Sequence, residues 1–487
     1  MIRKLLLALG AVIVVVAGIV IYRTAVFTPP PVPPVTPDNY ALDGKAIAGR
    51  LSQAVQFATV SQQPPQPTDP VPFEQYDAWL AQAYPEVHAA LKRERLGNHA
   101  LLFTWPGSDP AAQPVMLTAH YDVVPVIPGT EGKWTHPPFS GAIADGYVWG
   151  RGTLDDKGAM ITMLEAASFL LKQGFQPRQT VYMAFGDDEE IGGEHGAAAI
   201  VEHLKAQKVR LAWSLDEGSF VLDGIVPGVA QPLASINVAE KGYLTLKLTA
   251  HGAGGHSSMP PHETAVGVLA AAIVKLQQAP VPGGLDGLSG AAFSAMARHM
   301  SFGKRMLFAN QWLFGPLLES VLSKAPSTNA MLRTTTAPTM LSGSVKENVL
   351  PIEASATINF RLHPRDSVDS VIAYVKKTVG DDRVTVATVG AGSNASAVAG
   401  TETAGFRAMA AAVRRSYGDV VVLPGLTIAA TDSRHYGEIS DNAYRFDPMK
   451  ITPRDLTGFH GTNERLSLDN LVRATGFYID LLKSTGN

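Results

Sequence analysis

Three observations predict an α/β fold, a mixed and mainly parallel sheet flanked by helices, with a smaller α+β domain inserted into it. Between residues 40 and 235 short apolar runs alternate with helical stretches, the pattern of parallel strands joined by crossover helices. From about residue 237 the texture changes to strict polar and apolar alternation interleaved with amphipathic helices. Acidic and imidazole side chains fall just beyond the ends of the expected parallel strands, the edge at which open α/β sheets place ligands. With 487 residues, 46% of them apolar, the chain can bury more than one core.

In chain order, Arg3 and Lys4 precede an unbroken apolar run over residues 5–22. As a helix that run spans about 27 Å, close to a hydrocarbon core. The expectation is a signal anchor over residues 1–28; the other reading is a cleaved signal peptide, whose apolar core is usually about 7–15 residues long. Arg3, Lys4 and the amino terminus outweigh Arg23, which places the bulk of the chain outside the cytoplasm. The proline-rich residues 29–40 suit a stiff polyproline II spacer. A first catalytic segment is expected over residues 41–236, with strands at 115–119, 180–185 and 211–215. Between the first two strands lies a helix over 159–171, closed by Gly174. In the insertion, residues 237–393, Leu244, Leu246 and Leu248 alternate with polar residues, as do Ala356, Ile358 and Phe360. A helix over 264–277, a second carrying Val368, Val371, Ile372, Val375 and Val379, and a strand through Val384 and Val386 complete a β-α-β-β-α-β-like layer. Residues 394–487 return to the first domain and end in an amphipathic helix through Leu468, Leu471, Val472, Ile479 and Leu482.

Composition excludes several functions. Forty basic against 43 acidic residues leave a net charge of -3, so no global basic field exists to hold nucleic acid. The absence of cysteine removes disulfides, thiolate metal sites and thiol nucleophiles. Any metal must be held by His, Asp and Glu.

His120 and Asp122, Glu189 and Glu190, and Asp216 each follow an expected strand, and Asp155 follows the glycine-containing turn Gly150-Arg151-Gly152-Thr153-Leu154. Two hydrolytic metals about 3.5–4 Å apart can share a bridging carboxylate and a water. Asp155 is expected to bridge, with His120 and Asp216 completing one set and Glu190 and His460 the other. Asp122, two residues beyond His120, can orient the imidazole. Glu189 adjoins a ligand and is free to act as general base and then general acid. Each residue alone also has a plainer reading, a helix cap for Asp155 and Asp156, a solvated loop for residues 187–190, a turn for Asp216 and Glu217. Their convergence on one sheet edge, with a second His available, points to a metal site.

At these residues the chain resembles the di-zinc aminoacylase and carboxypeptidase metallopeptidase family, in its carboxypeptidase S and N-fatty-acyl-amino-acid hydrolase branch. The motifs are Thr118-Ala119-His120-Tyr121-Asp122, Leu154-Asp155-Asp156-Lys157-Gly158, Asp187-Asp188-Glu189-Glu190, Leu215-Asp216-Glu217-Gly218, Gly255-His256-Ser257-Ser258, Asn348-Val349-Leu350-Pro351, Asn359-Phe360-Arg361-Leu362, Thr431-Asp432-Ser433-Arg434 and Phe459-His460-Gly461. The resemblance implies a zinc-dependent exopeptidase-like catalytic domain with an inserted dimerisation, or lid, domain. It also implies two divalent ions, zinc above others, held by His120, Asp155, Glu190, Asp216 and His460, with Glu189 as base and Asp122 in support. Glu217 is the alternative to Asp216. By the same resemblance His256 stabilises an oxyanion in a partner's site, while Asn348 and Arg361 hold the substrate, a bidentate task that suits the guanidinium.

The function so implied is hydrolysis of an amide bond beside a free carboxylate in small peptides or N-acyl amino acids. A catalytically silent binding module on the same fold and a di-metal phosphoesterase are the alternatives. Residues 306–321, rich in Phe, Trp and Leu, either pack on a neighbouring surface or cradle an acyl chain.

Overall fold

The computed structural model describes residues 1–32, 34–37 and 39–486, so Pro33 and Asp38 of the expected polyproline spacer lie outside the described residues. The fold is the expected α/β one. A ten-stranded sheet runs in the order Lys92–Leu96, Ala100–Trp105, Val181–Gly186, Val115–His120, Trp213–Asp216, Ala443–Arg445, Leu233–Glu240, Val221–Leu222 and Lys450–Ile451, with Val421–Thr427 also paired to Leu233–Glu240. Its centre is parallel, since Val115–His120 pairs in parallel with Val181–Gly186 and with Trp213–Asp216. Both Val115–His120 and Val181–Gly186 are buried along their whole length, because helices cover both faces of the sheet. On one face Lys157–Lys172 packs with Leu468–Ser484 and Gly44–Val55. On the other, Ile200, Val201 and Leu204 of Ala197–Ala206 meet Tyr436 and Ile439.

The chain leaves this sheet after Leu233–Glu240 and re-enters it at Val421–Thr427, which pairs in parallel with that same strand. In between, a four-stranded antiparallel sheet has the order Thr335–Ser342, Glu353–Leu362, Gly242–His251 and Val384–Thr388. Along Glu353–Leu362 every second residue from Ala354 to Leu362 is buried, which follows from a period of two on a sheet with one covered face. Helices Ala265–Gln278 and Val368–Val379 supply the cover. Ser367 caps the second helix reciprocally with Ser370, and Gly380, at φ 54°, ends it.

A third packing unit departs from the sequence expectation of a single apolar stretch. Four helices, Gly287–Ala297, Phe302–Ala309, Gln311–Leu322 and Pro326–Leu332, share a small core of Phe293, Ala297, Phe308, Leu318 and Leu332. Helix Ile2–Val26, long and apolar enough to cross a membrane, touches this block through Val20 and Thr24, its only buried residues.

Candidate metal centre

His120 closes strand Val115–His120 and is 1% exposed. Its Nδ1 lies 3.1 Å from the Asp122 carbonyl oxygen and 3.3 Å from Asp122 Oδ1, so Nε2 is presented to the rim. There Nε2 sits 3.0 Å from Asp155 Oδ1. The other oxygen of the same carboxylate, Oδ2, lies 3.0 Å from His460 Nε2, which in turn is 3.3 Å from Glu190 Oε2. One carboxylate therefore stands between two imidazoles, with a separate oxygen facing each.

The local chain makes this arrangement possible. The turn ahead of Asp155 needs glycine at Gly152, where φ is +88° and a Cβ would come within 2.8 Å of Val123 Cγ1. Glu464, fully buried, accepts hydrogen bonds from the backbone N–H groups of Gly152, Leu154 and Asp155 at 3.0, 2.8 and 3.2 Å. It also pairs with Arg151 Nη1 at 2.7 Å, while Arg151 Nη2 donates to the Gly461 carbonyl at 2.9 Å. One ion pair thus fastens the Asp155 turn to the His460 loop. Asp122 does the same for the third loop: it accepts from the N–H groups of Glu189 and Glu190 at 3.2 and 3.1 Å and from Ser61 Oγ at 2.6 Å.

Glu189 Oε2 and Glu217 Oε1 lie 4.0 and 3.8 Å from His120 Nε2. Ligand atoms of His120, Asp155 and Glu190 fall within 4.8 Å of one another, as do those of His120, Glu189 and Glu217. Of the two adjacent acids Asp216 and Glu217, it is Glu217 whose carboxylate falls in the His120 group. The strand Trp213–Asp216 ends at Asp216, whose Oδ1 stays within the sheet and accepts from Thr118 Oγ1 at 2.6 Å. One residue on, the chain has left the strand and Glu217 reaches the rim.

The electrostatics fit a cation. Burial pushes the carboxyls of Glu189, Glu190 and Glu217 above their ordinary range, and their mutual repulsion adds to it, with His120 pulling the other way. His460 is raised to about 10 by its hydrogen bonds to Asp155 and Glu190. Burial opposes charge on His120, yet Asp122 and Asp155 lift it well above the usual value. The buried Oε1 of Glu190 has no hydrogen-bond partner among the described residues. Crowded carboxylates and imidazoles, all oxygen and nitrogen donors, are the donor set of a hard to borderline divalent ion, whose charge removes the repulsion.

The other expected site residues lie elsewhere. His256 is exposed on a two-stranded ribbon, Gly255–His256 with Val349–Leu350, and its Nδ1 is 2.8 Å from Ser258 Oγ. Asn348 is on the same ribbon: its carbonyl accepts from the Ser257 N–H at 3.1 Å and its Oδ1 is buried without a partner. Arg361 stacks over the ring of Tyr243 at 5.0 Å on the adjacent strand. Tyr243 lines a cleft of about 480 Å³ together with Glu240, Lys241, Ser396, Arg434 and His435. Among the described residues none of His256, Asn348 and Arg361 has a hydrogen bond or ion pair to the cluster. Two buried acids to which the sequence assigns no role are Glu464, four positions after His460, and Asp432, 3% exposed with neither oxygen hydrogen-bonded among the described residues. The motif around Asp432 was the available signal; nothing local marks Glu464.

Residues 116–484 match the description of peptidase family M20/M25/M40. The chain is 40% identical over 443 residues to "Probable carboxypeptidase S-like 2" of Dictyostelium discoideum, covering 90% of this chain and 85% of that protein. It is 38% identical over 444 residues to the N-fatty-acyl-amino acid synthase/hydrolase PM20D1 of Xenopus tropicalis, with coverage of 91% and 86%. Among solved structures, the M20 family metallo-carboxypeptidase Sso-CP2 from Sulfolobus solfataricus superposes with a TM-score of 0.62 at 18% identity, over 90% of this chain and 99% of that one.

Proposed function

The chain belongs to peptidase family M20/M25/M40, and from that premise we propose that it cleaves an amide bond beside a free carboxylate, in small peptides or N-acyl amino acids. It is a metal-dependent amide hydrolase, a reading its relatives favour over a silent binding module or a phosphoesterase. The observation that carries the proposal is Asp155, with its two oxygens each 3.0 Å from a different imidazole. The donor chemistry suits two divalent ions, zinc above others: Asp155 would serve both, His120 and Glu217 would hold one, and Glu190 and His460 the other. Such ions polarise a carbonyl and bring the pKa of water near neutrality. Glu189, packed against the cluster with Oε2 4.0 Å from His120 Nε2, would take the proton of the attacking water and return it to the leaving amine. Asp122 fixes the His120 tautomer and the Glu189 backbone together.

His256, Asn348 and Arg361 sit on the inserted domain, and we assign them to substrate and oxyanion binding across a homodimer. The edge strand Thr335–Ser342, with Met340 and Leu341 exposed beside helix Ala265–Gln278, supports pairing through that domain. Helix Ile2–Val26 is assigned as an uncleaved anchor that holds the hydrolase outside the cytoplasmic membrane. The first test is Glu189→Gln, for which we expect activity on N-acyl amino acids to fall by about 10²–10⁴-fold with metal content unchanged. Activity within tenfold of the parent would remove Glu189 as the base.

A further inference from the structure

We infer that the helical block containing Phe302–Ala309 and Gln311–Leu322 rests on the outer leaflet of the bilayer that Ile2–Val26 spans, with the apolar face of Gln311–Leu322 immersed in it. The inference rests on the anchoring assigned above. Trp312, Leu313, Leu317 and Val321 are 52%, 44%, 53% and 53% exposed. At about 100° per residue they occupy one half of the helix circumference, with buried Leu318 outside it. Phe302 of the preceding helix is also exposed. Contiguous apolar exposure of this kind needs an occupant.

The contacts to the anchor identify it. Asn310, fully buried at the junction of the two helices, donates through Nδ2 to the Val20 carbonyl and to Thr24 Oγ1, both at 3.2 Å. Arg23 Nε donates to the Ala309 carbonyl at 3.2 Å. Arg298 lies 4.3 Å over the Phe27 ring and donates to the Thr28 carbonyl at 2.8 Å. The apolar run of the anchor ends at Tyr22, so its last turn marks the level where hydrocarbon gives way to headgroups. Asn310, held against that turn, puts the start of Gln311–Leu322 at the same level. The polar complement suits an interface as well. Arg298, Lys304 and Arg305 precede the apolar residues of Gln311–Leu322 in the chain, with Arg305 5.8 Å over the Phe302 ring, while Glu319, the one acidic residue between 302 and 322, turns onto Arg333 at 2.8 Å. Basic residues around a Trp- and Leu-bearing face are the composition of an interfacial helix.

The absence of cysteine makes the test direct. The full chain carrying Leu317→Cys or, separately, Ile13→Cys is labelled with a nitroxide and reconstituted into phosphatidylcholine/phosphatidylglycerol vesicles. Accessibility to oxygen and to a neutral nickel chelate is then compared, with parental activity required of both variants. We expect both labels to favour oxygen over the chelate. An Ile13 label in lipid with a Leu317 label open to the chelate overturns the docking alone. An Ile13 label in water overturns the anchoring on which the docking rests. Spin–spin broadening at Leu317 assigns the face to a second copy of the chain and equally overturns the bilayer contact.

Discussion

Adjacent acids illustrate what a sequence can and cannot place. His120, Asp155, Glu190 and His460 were legible because their types, strand-end positions and motifs converge, and the fold brings them within a few ångströms. The choice between Asp216 and Glu217 was not, because it depends on where the strand stops rather than on which residues are present. The structure predicts opposite fates for the two. Glu217→Ala should cost about one bound metal ion per chain by elemental analysis and most activity, whereas Asp216→Asn should keep its metal. Glu464 was invisible for a different reason, since its role is made of backbone N–H groups from a turn about 310 residues away. Removing it strands Arg151 in the interior, and breaking a buried pair costs about 3–5 kcal/mol. Glu464→Ala should therefore lower the unfolding free energy by that order in denaturant titrations of the chelated protein. A loss below about 1 kcal/mol would show that the pair does not fasten the two loops.

The strands and helices were readable where their periods are clean. Largely apolar runs became the buried parallel strands Val115–His120 and Val181–Gly186, and the alternation through Ala356, Ile358 and Phe360 became a half-covered antiparallel strand. The four-helix block is not legible because residues 285–332 are apolar without a sustained period, with Pro316 inside Gln311–Leu322 and Asn310 separating that helix from Phe302–Ala309. That block is tied to the inserted sheet at His363, 2% exposed, whose Nε2 is 2.9 Å from Ser289 Oγ and whose Nδ1 accepts from Arg365 Nε at 3.0 Å. Burial, with Arg365 and Lys241 nearby, lowers the His363 pKa to about 4. An unfolded His titrates near about 6.5, so between these values the unfolded chain binds the extra proton and stability falls as the pH drops from about 6.5 towards 4. Thermal melts should show that slope, and His363→Asn should flatten it. An unchanged slope would assign the acid sensitivity elsewhere.

At the scale of the whole molecule, the insertion leaves and rejoins one sheet through paired parallel strands, which a change of texture near residue 237 anticipates but cannot locate in space. The metal rim and the ribbon bearing His256 and Asn348 have no direct hydrogen bond or ion pair among the described residues, and under the proposed function a second copy would supply that ribbon. Leu341→Lys on the exposed edge strand should then yield monomers in sedimentation and a matching loss of turnover, with metal content retained. Full activity from a monomer would confine the site to one chain. All of this depends on dispersed acids and imidazoles forming one cage for paired cations. The most direct test is the metal content of the dialysed full chain beside its Asp155→Ala variant, measured by mass spectrometry. The parent should carry about two divalent ions per chain and the variant fewer than one, whereas an Asp155→Ala protein that keeps both ions would contradict a shared carboxylate between the two imidazoles.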